Sequence, residues 1–137
     1  MRTVTVFSRN GMIKEEPRSG VVVISIRTPG DPLDLPGWEK VFPFEFDDVS
    51  ELEELATGGR KAIIFTNEMA RQIIGITREY RDWDFICHCD AGVSRSVAVA
   101  RFIAEEYGHR LVLLGNVYSD QNANGHVLRL LHRQLWF

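Results

Sequence analysis

The sequence predicts an α/β domain of three layers, a mostly parallel or mixed sheet flanked by helices, and three observations carry that expectation. Strand-length apolar runs stand at Thr3 to Ser8, Val21 to Arg27, Val41 to Phe46 and Phe85 to Cys89, and helical periodicity appears between the third and fourth runs and after the fourth. The run Val21-Val22-Val23-Ile24-Ser25-Ile26 is almost continuously β-branched, as in a strand covered on both faces of a parallel sheet. Strands followed by amphipathic helices are the pattern of layered α/β architectures. The 137 residues carry no repeat, low-complexity segment or interdomain linker, so 1–137 reads as one domain with a core of its own.

The elements follow in order. Thr3 to Ser8 alternates as a first strand, and Ser8-Arg9-Asn10-Gly11 has turn chemistry. Gly20 and Thr28-Pro29-Gly30 bound the second strand. Pro29, Pro32 and Pro36, with Gly30 and Gly37, mark 28–37 as a surface loop, after which Trp38 packs against an edge. In the third strand Phe42, Phe44 and Phe46 share a face and run into Asp47 and Asp48. Ser50-Glu51-Leu52-Glu53 is a capping-box pattern, predicting a short acidic helix to about Thr57 that Gly58-Gly59 ends. Phe65-Thr66 reads as a staple residue and an N-cap, and Met69, Ile73, Ile76 and Tyr80 recur at helical spacing to about Arg81. The strand ending at Cys89 is followed by a helix from Arg95 to Tyr107, apolar almost all round and stopped by Gly108. Leu111 to Leu114 fits a strand or a helical turn, and 109–123 is read as irregular. Val127, Leu128, Leu131 and Leu135 give a last amphipathic helix with Asn122 or Asn124 near its start.

Composition excludes several function classes. A formal net charge of −3 without a basic run or basic-aromatic patch argues against a nucleic-acid partner. No apolar run approaches the ~18 residues that cross a bilayer, and Met1 to Val6 lacks the apolar core of a signal peptide, so no membrane partner is expected. Cys87 and Cys89 are too close on one strand for an unstrained disulfide, which makes the chain cytoplasmic and reduced by expectation. Strand alternation turns His88 away from both thiols, and no second ligand pair exists, so neither a metal nor another cofactor is expected. Cys87 reads as core. His109, His126 and His132 read as surface or helix-face residues.

The informative stretch is Phe85-Ile86-Cys87-His88-Cys89-Asp90-Ala91-Gly92-Val93-Ser94-Arg95-Ser96. A strand feeding a short polar loop that opens a helix makes an anion site, because backbone N–H groups converge at a positive helix end. Cys89 stands at the start of that loop and Arg95 at its end. A helix N-terminus and a nearby guanidinium favour a thiolate, and a guanidinium grips phosphate oxygens in bidentate fashion. Nucleophile and oxyanion cradle together are what phosphoryl transfer requires.

The stretch closely resembles the signature loop of the cysteine-dependent protein tyrosine phosphatases, His-Cys, five residues, Arg, then Ser, and is most similar to the small dual-specificity branch. The resemblance implies a protein tyrosine phosphatase-like fold and no cofactor. In its terms Cys89 is the nucleophile, and Arg95 binds phosphate and transition state with the loop residues Asp90, Ala91, Gly92, Val93 and Ser94. Ser96 assists departure of the sulfur, and His88 supports the thiolate from behind. A general acid must protonate the leaving oxygen. The Phe44-Glu45-Phe46-Asp47-Asp48 run is similar to the acid-bearing loop of that branch. Alternation puts Asp48 on the phenylalanine face, so Asp48 is the favoured acid and Asp47 the alternative. Asp82 and Asp84 belong to the far end of their strand. Asn124 resembles an asparagine that braces the loop in relatives, although Ala123 stands where they carry Pro.

The expected activity is hydrolysis of phosphomonoesters of phosphoprotein, phosphotyrosine above all, with a bell-shaped pH–rate profile because thiolate and protonated acid must coexist. Phosphoinositides or RNA 5′ phosphates are alternative substrates, disfavoured by a loop without lysines. Rhodanese-like sulfur transfer fits the arginine spacing poorly. A non-catalytic phosphotyrosine-binding module would have less use for both Cys89 and Asp48.

Overall fold

A computed structural model describes residues 1–48, 62–114 and 123–135. The elements are β1 (Thr3–Ser8), α1 (Arg9–Lys14), β2 (Val21–Arg27), β3 (Lys40–Glu45), α2 (Asn67–Glu79), β4 (Asp84–Cys89), α3 (Arg95–Tyr107), β5 (Arg110–Leu113) and α4 (Gly125–Leu135). The five strands form one sheet in the order β3-β2-β4-β1-β5. Every pairing is parallel, so the sheet is not mixed. Parallel pairing gathers the C-terminal ends of β1, β2, β3 and β4 on one side of the sheet, where open α/β sheets place their sites.

Strand alternation divides the apolar residues between two faces. Val22, Ile24 and Ile26 of β2, Val4 and Val6 of β1, and Phe85, Cys87 and Cys89 of β4 join the main core beneath α2, α3 and α4. Val21, Val23 and Ile86 face the opposite layer, where Met12 of α1 packs with Leu35 and Trp38. Burial of β2 on both faces explains its near-continuous apolar run. Trp38 packs as expected, with the Arg18 guanidinium 5.8 Å from its ring centroid. Pro43 sits on the edge strand β3, where a missing N–H is tolerated. Among the described residues no helix is long and apolar enough to cross a membrane.

Three local expectations are corrected. Ser8 to Gly11 does not form a turn. Ser8 Oγ accepts from Gly11 N and caps α1, whose Met12 is fully buried, so tertiary burial overrides the weak helix propensity of Asn10 and Gly11. The segment after Gly108 is not irregular at its start, because β5 pairs with β1 from Thr3↔Arg110 to Val6↔Leu113. A four-residue apolar run gives no periodicity from which to read that distant pairing. His109 is buried, its Nε2 2.9 Å from the Trp83 carbonyl oxygen and its ring edge-on to Phe85 and Tyr107. His126 lies on a helix face that is itself buried, with Nε2 2.9 Å from the Phe65 carbonyl oxygen. His132 is half-exposed beside Glu105. The capping-box helix predicted for 50–57 and the Gly58-Gly59 stop lie outside the described residues, as does Asn122.

Candidate active site

β4 ends at Cys89 and α3 begins at Arg95, so the loop Asp90 to Ser94 lies at the C-terminal edge of the central strand. Gly92 makes its path possible. Its φ is +72°, and a Cβ there would stand 2.7 Å from the Ser8 nitrogen and 2.9 Å from both the carbonyl carbon and oxygen of Phe7. The loop therefore lies directly against the backbone at the β1–α1 junction, and Arg9 N donates to the Asp90 carbonyl oxygen at 3.1 Å to close the contact. Ala91 is exposed at the loop crest and Val93 packs partly into the main core.

Cys89 is buried, with Sγ 3.0 Å from Ser96 Oγ in the first turn of α3. A hydroxyl at that position can donate to a thiolate or to a departing sulfur. Cys87, two residues earlier on the same side of β4, is fully buried. Burial, with Cys89 adding to it, pushes its thiol far up, which makes it an inert core residue.

Arg95 is buried and its fork is held from two sides. Nη1 donates to the Phe46 carbonyl oxygen at 2.8 Å and to Thr28 Oγ1 at 3.3 Å, and Nη2 donates to Asp90 Oδ2 at 3.2 Å. Thr28 Oγ1 in turn donates to Asp90 Oδ2 at 2.5 Å. The Nε–H is buried without an acceptor. A buried guanidinium hydrogen with no partner is rare in a folded chain and asks for a ligand oxygen. Burial works against the Asp90 carboxylate. The hydrogen bonds from Thr28 and Arg95 and the charges of Arg95 and Arg9 outweigh it and hold the carboxyl below its usual range.

The two acidic candidates separate. Asp47 is buried, its backbone N–H donating to the Ile63 carbonyl oxygen at 2.7 Å while its Oδ2 accepts from Ile63 N at 2.8 Å. That carboxylate pins the chain leaving β3. Asp48 is exposed and turns to the loop. Its Oδ1 accepts from Ser94 Oγ at 2.7 Å and from Asn124 Nδ2 at 2.7 Å. Alternation from β3 did not carry through to this point, since β3 stops at Glu45 and both Phe46 and Asp47 are buried. Asn124 also donates its backbone N–H to the Ser94 carbonyl oxygen at 3.0 Å and accepts from Val127 N at 3.1 Å, so one residue caps α4, braces the loop and holds Asp48. Ser94 occupies the N-cap position of α3 yet makes no side-chain cap bond, because its hydroxyl serves Asp48.

His88 is fully buried behind the loop, Nε2 2.6 Å from Ser25 Oγ. Burial, and after it the charge of Arg27, push its pKa down to about 4, so the ring is neutral near pH 7. The structure thus brings Asp48, His88, Cys89, Asp90, Gly92, Ser94, Arg95 and Ser96 to one place and leaves Asp47 in a supporting position. Three polar residues of this region escaped the sequence reading. Thr28 opens a proline-rich loop and carries no signal in the sequence. Ser25 and Arg27 did carry one, since a serine inside a β-branched run must find a buried partner. Near the site the chain can cradle a tetrahedral anion, present a sulfur nucleophile and offer one carboxyl group at the rim.

No family model matches the chain, and neither a curated protein nor a solved structure is significantly similar to it.

Proposed function

We propose that this chain is a cysteine-dependent phosphatase of protein tyrosine phosphatase-like fold, hydrolysing phosphomonoesters of a phosphorylated protein through a phosphocysteine intermediate. The observation that carries the reading is the buried Nε–H of Arg95, left without an acceptor while the rest of the fork is fixed, in the loop that Cys89 begins. In the first step the Cys89 thiolate forms a bond to phosphorus as the ester P–O bond breaks, and Asp48 delivers a proton to the leaving oxygen. In the second step water attacks phosphorus, Asp48 takes its proton, and the S–P bond breaks with the Ser96 hydroxyl donating to the departing sulfur. Arg95 and the amino end of α3 offset charge on the three equatorial oxygens throughout. No step needs a metal.

A phosphoprotein is preferred over a phosphoinositide because the loop holds the Asp90 carboxylate and no lysine, which disfavours a polyanionic headgroup. The test is turnover of an aryl phosphate with chelator present. Wild type should hydrolyse it and Cys89→Ser should not. An inactive wild type, or a Cys89→Ser variant with undiminished rate, ends the proposal, and a panel of phosphopeptides, phosphoinositides and RNA 5′ ends then ranks substrates.

A further inference from the structure

Two polar side chains stand on the otherwise apolar strand β2, and the mechanism above uses neither. Ser25 is fully buried and lies opposite His88 in the β2–β4 register. Its Oγ is 2.6 Å from His88 Nε2 and 2.9 Å from Arg27 Nε. What each group can do fixes the direction of both bonds. An arginine Nε–H only donates, so Ser25 Oγ accepts from Arg27. The hydroxyl hydrogen then has His88 Nε2 as its acceptor. The reverse assignment would leave the hydroxyl hydrogen buried with no partner, whereas a hydrogen on Nδ1 lies where the Cys89 backbone favours a ring proton. A neutral imidazole whose Nε2 accepts carries its hydrogen on Nδ1.

We propose that Ser25 and Arg27 are positioning residues for the nucleophile: the relay Arg27 to Ser25 to His88 fixes His88 as the neutral Nδ1–H tautomer and sets an N–H, not a lone pair, against the backbone of Cys89. His88 Nδ1 is buried without an aligned hydrogen bond, and the Cys89 backbone favours a proton on the ring, as its carbonyl would. In the other tautomer a nitrogen lone pair would face that carbonyl and push on the peptide that carries the sulfur. The charges around the ring agree with neutrality. Burial is the largest effect and the charge of Arg27 from β2 the next, both against an imidazolium; the Cys89 backbone then favours a ring proton, followed by Arg9 from α1, which opposes it, and Asp90 from the loop, which favours it. Arg27 itself lies near Glu45, Asp34 and Arg9, and its pKa is lowered chiefly by burial. The same device recurs on the other flank of Cys89, where Thr28 accepts from Arg95 and donates to Asp90. Both residues next to the nucleophile are thus oriented by a hydroxyl from β2 or its end, each backed by an arginine.

The consequence for catalysis rests on the phosphatase reading, but the tautomer does not, and the experiment keeps them apart. Long-range proton–nitrogen correlation spectra of the chain with labelled histidine report tautomer and titration, with His88 assigned through His88→Gln. Wild type should show His88 as Nδ1–H. Arg27→Met should raise the His88 midpoint by about one unit. Ser25→Ala should release the tautomer and slow iodoacetamide alkylation of Cys89 near neutral pH by about fivefold, the scale of one neutral hydrogen bond. An Nε2–H tautomer in wild type, or a midpoint unmoved in Arg27→Met, overturns the relay. A released tautomer with unchanged alkylation overturns the positioning role. Should Ser25→Ala fail to fold, the partly exposed Arg27 reads the same relay from its outer end. A wild type that hydrolyses no aryl phosphate ends the phosphatase reading, while the spectra still decide the relay.

Discussion

Replacing Gly92 by Ala, alongside Gly108 by Ala, separates two costs that a glycine can hide. Both residues have φ +72°, so an L side chain at either meets the same left-handed strain of roughly 1–2 kcal/mol. Gly108, the C-cap of α3, has nothing within 4 Å of its ideal Cβ. Loss of chain freedom in the unfolded state returns ~0.4–1 kcal/mol, leaving Gly108→Ala destabilised by about 1 kcal/mol. At Gly92 the new carbon would stand 2.7 Å from the Ser8 nitrogen and 2.9 Å from the Phe7 carbonyl group. Those are backbone atoms at the end of β1 that pair with His88 and Cys89 of β4, so they yield little, and overpacking of this kind costs ~1–3 kcal/mol. Gly92→Ala should therefore be less stable than Gly108→Ala by about 1–3 kcal/mol, read from urea midpoints at unchanged m-value. The loop would move away from β1, loosening the bond from Arg9 N to Asp90 O. A displacement near 1 Å in a positioning loop should lower kcat on an aryl phosphate by about 10²-fold, while Gly108→Ala keeps its rate. Equal midpoints for the two variants would refute the close-approach reasoning.

Other outcomes follow from single groups. Asp48→Ala should fold normally and lose ~10²–10⁴ in kcat, most with poor leaving groups, whereas Asp47→Ala should lower stability by ~1.5–3 kcal/mol by removing the buried carboxylate that accepts from the Ile63 N–H. The reverse pattern would make Asp47 the acid. Ser96→Ala should slow the second step more than the first, so that phosphoenzyme accumulates as a burst in rapid-quench kinetics; a variant without a burst contradicts that role. His88 has a folded pKa of about 4 against an ordinary 6.5, so the unfolded chain binds the extra proton between those values. Its contribution is fully present above pH 6.5 and is lost as pH falls toward 4, about 3 kcal/mol in all. Between neutral pH and about pH 5 wild type should lose about 2 kcal/mol more than His88→Gln, and equal losses would show that His88 is not buried neutral.

The parts of the molecule that were legible in the sequence are those governed by local pattern. β2 announced itself by β-branched residues, α2 by Thr66 and a four-residue apolar spacing, and α3 by its apolar run and Gly108. The loop was legible because Cys89, Gly92, Arg95 and Ser96 are near neighbours in sequence. Non-local pairing was not legible. Nothing in Leu111-Val112-Leu113 points to β1, and α1 exists because Met12 fills a space made by Val21, Val23, Leu35, Trp38 and Ile86. Asp48 lies against the loop and Asp47 away from it, an arrangement that strand alternation does not produce. It is the capture of Ile63 by one carboxylate and of Ser94 and Asn124 by the other that distinguishes them. His109 looked like a surface residue because its acceptor, the Trp83 carbonyl, belongs to another segment.

The central claim is that the Cys89 sulfur itself takes the phosphoryl group. Its most direct test is rapid quench of the Ser96→Ala variant mixed with an aryl phosphate, followed by mass analysis of the peptide that holds both cysteines. One added phosphoryl group is expected, retained in Cys87→Ala and absent in Cys89→Ser. Phosphate release without that adduct, or an adduct that survives in Cys89→Ser, would contradict it.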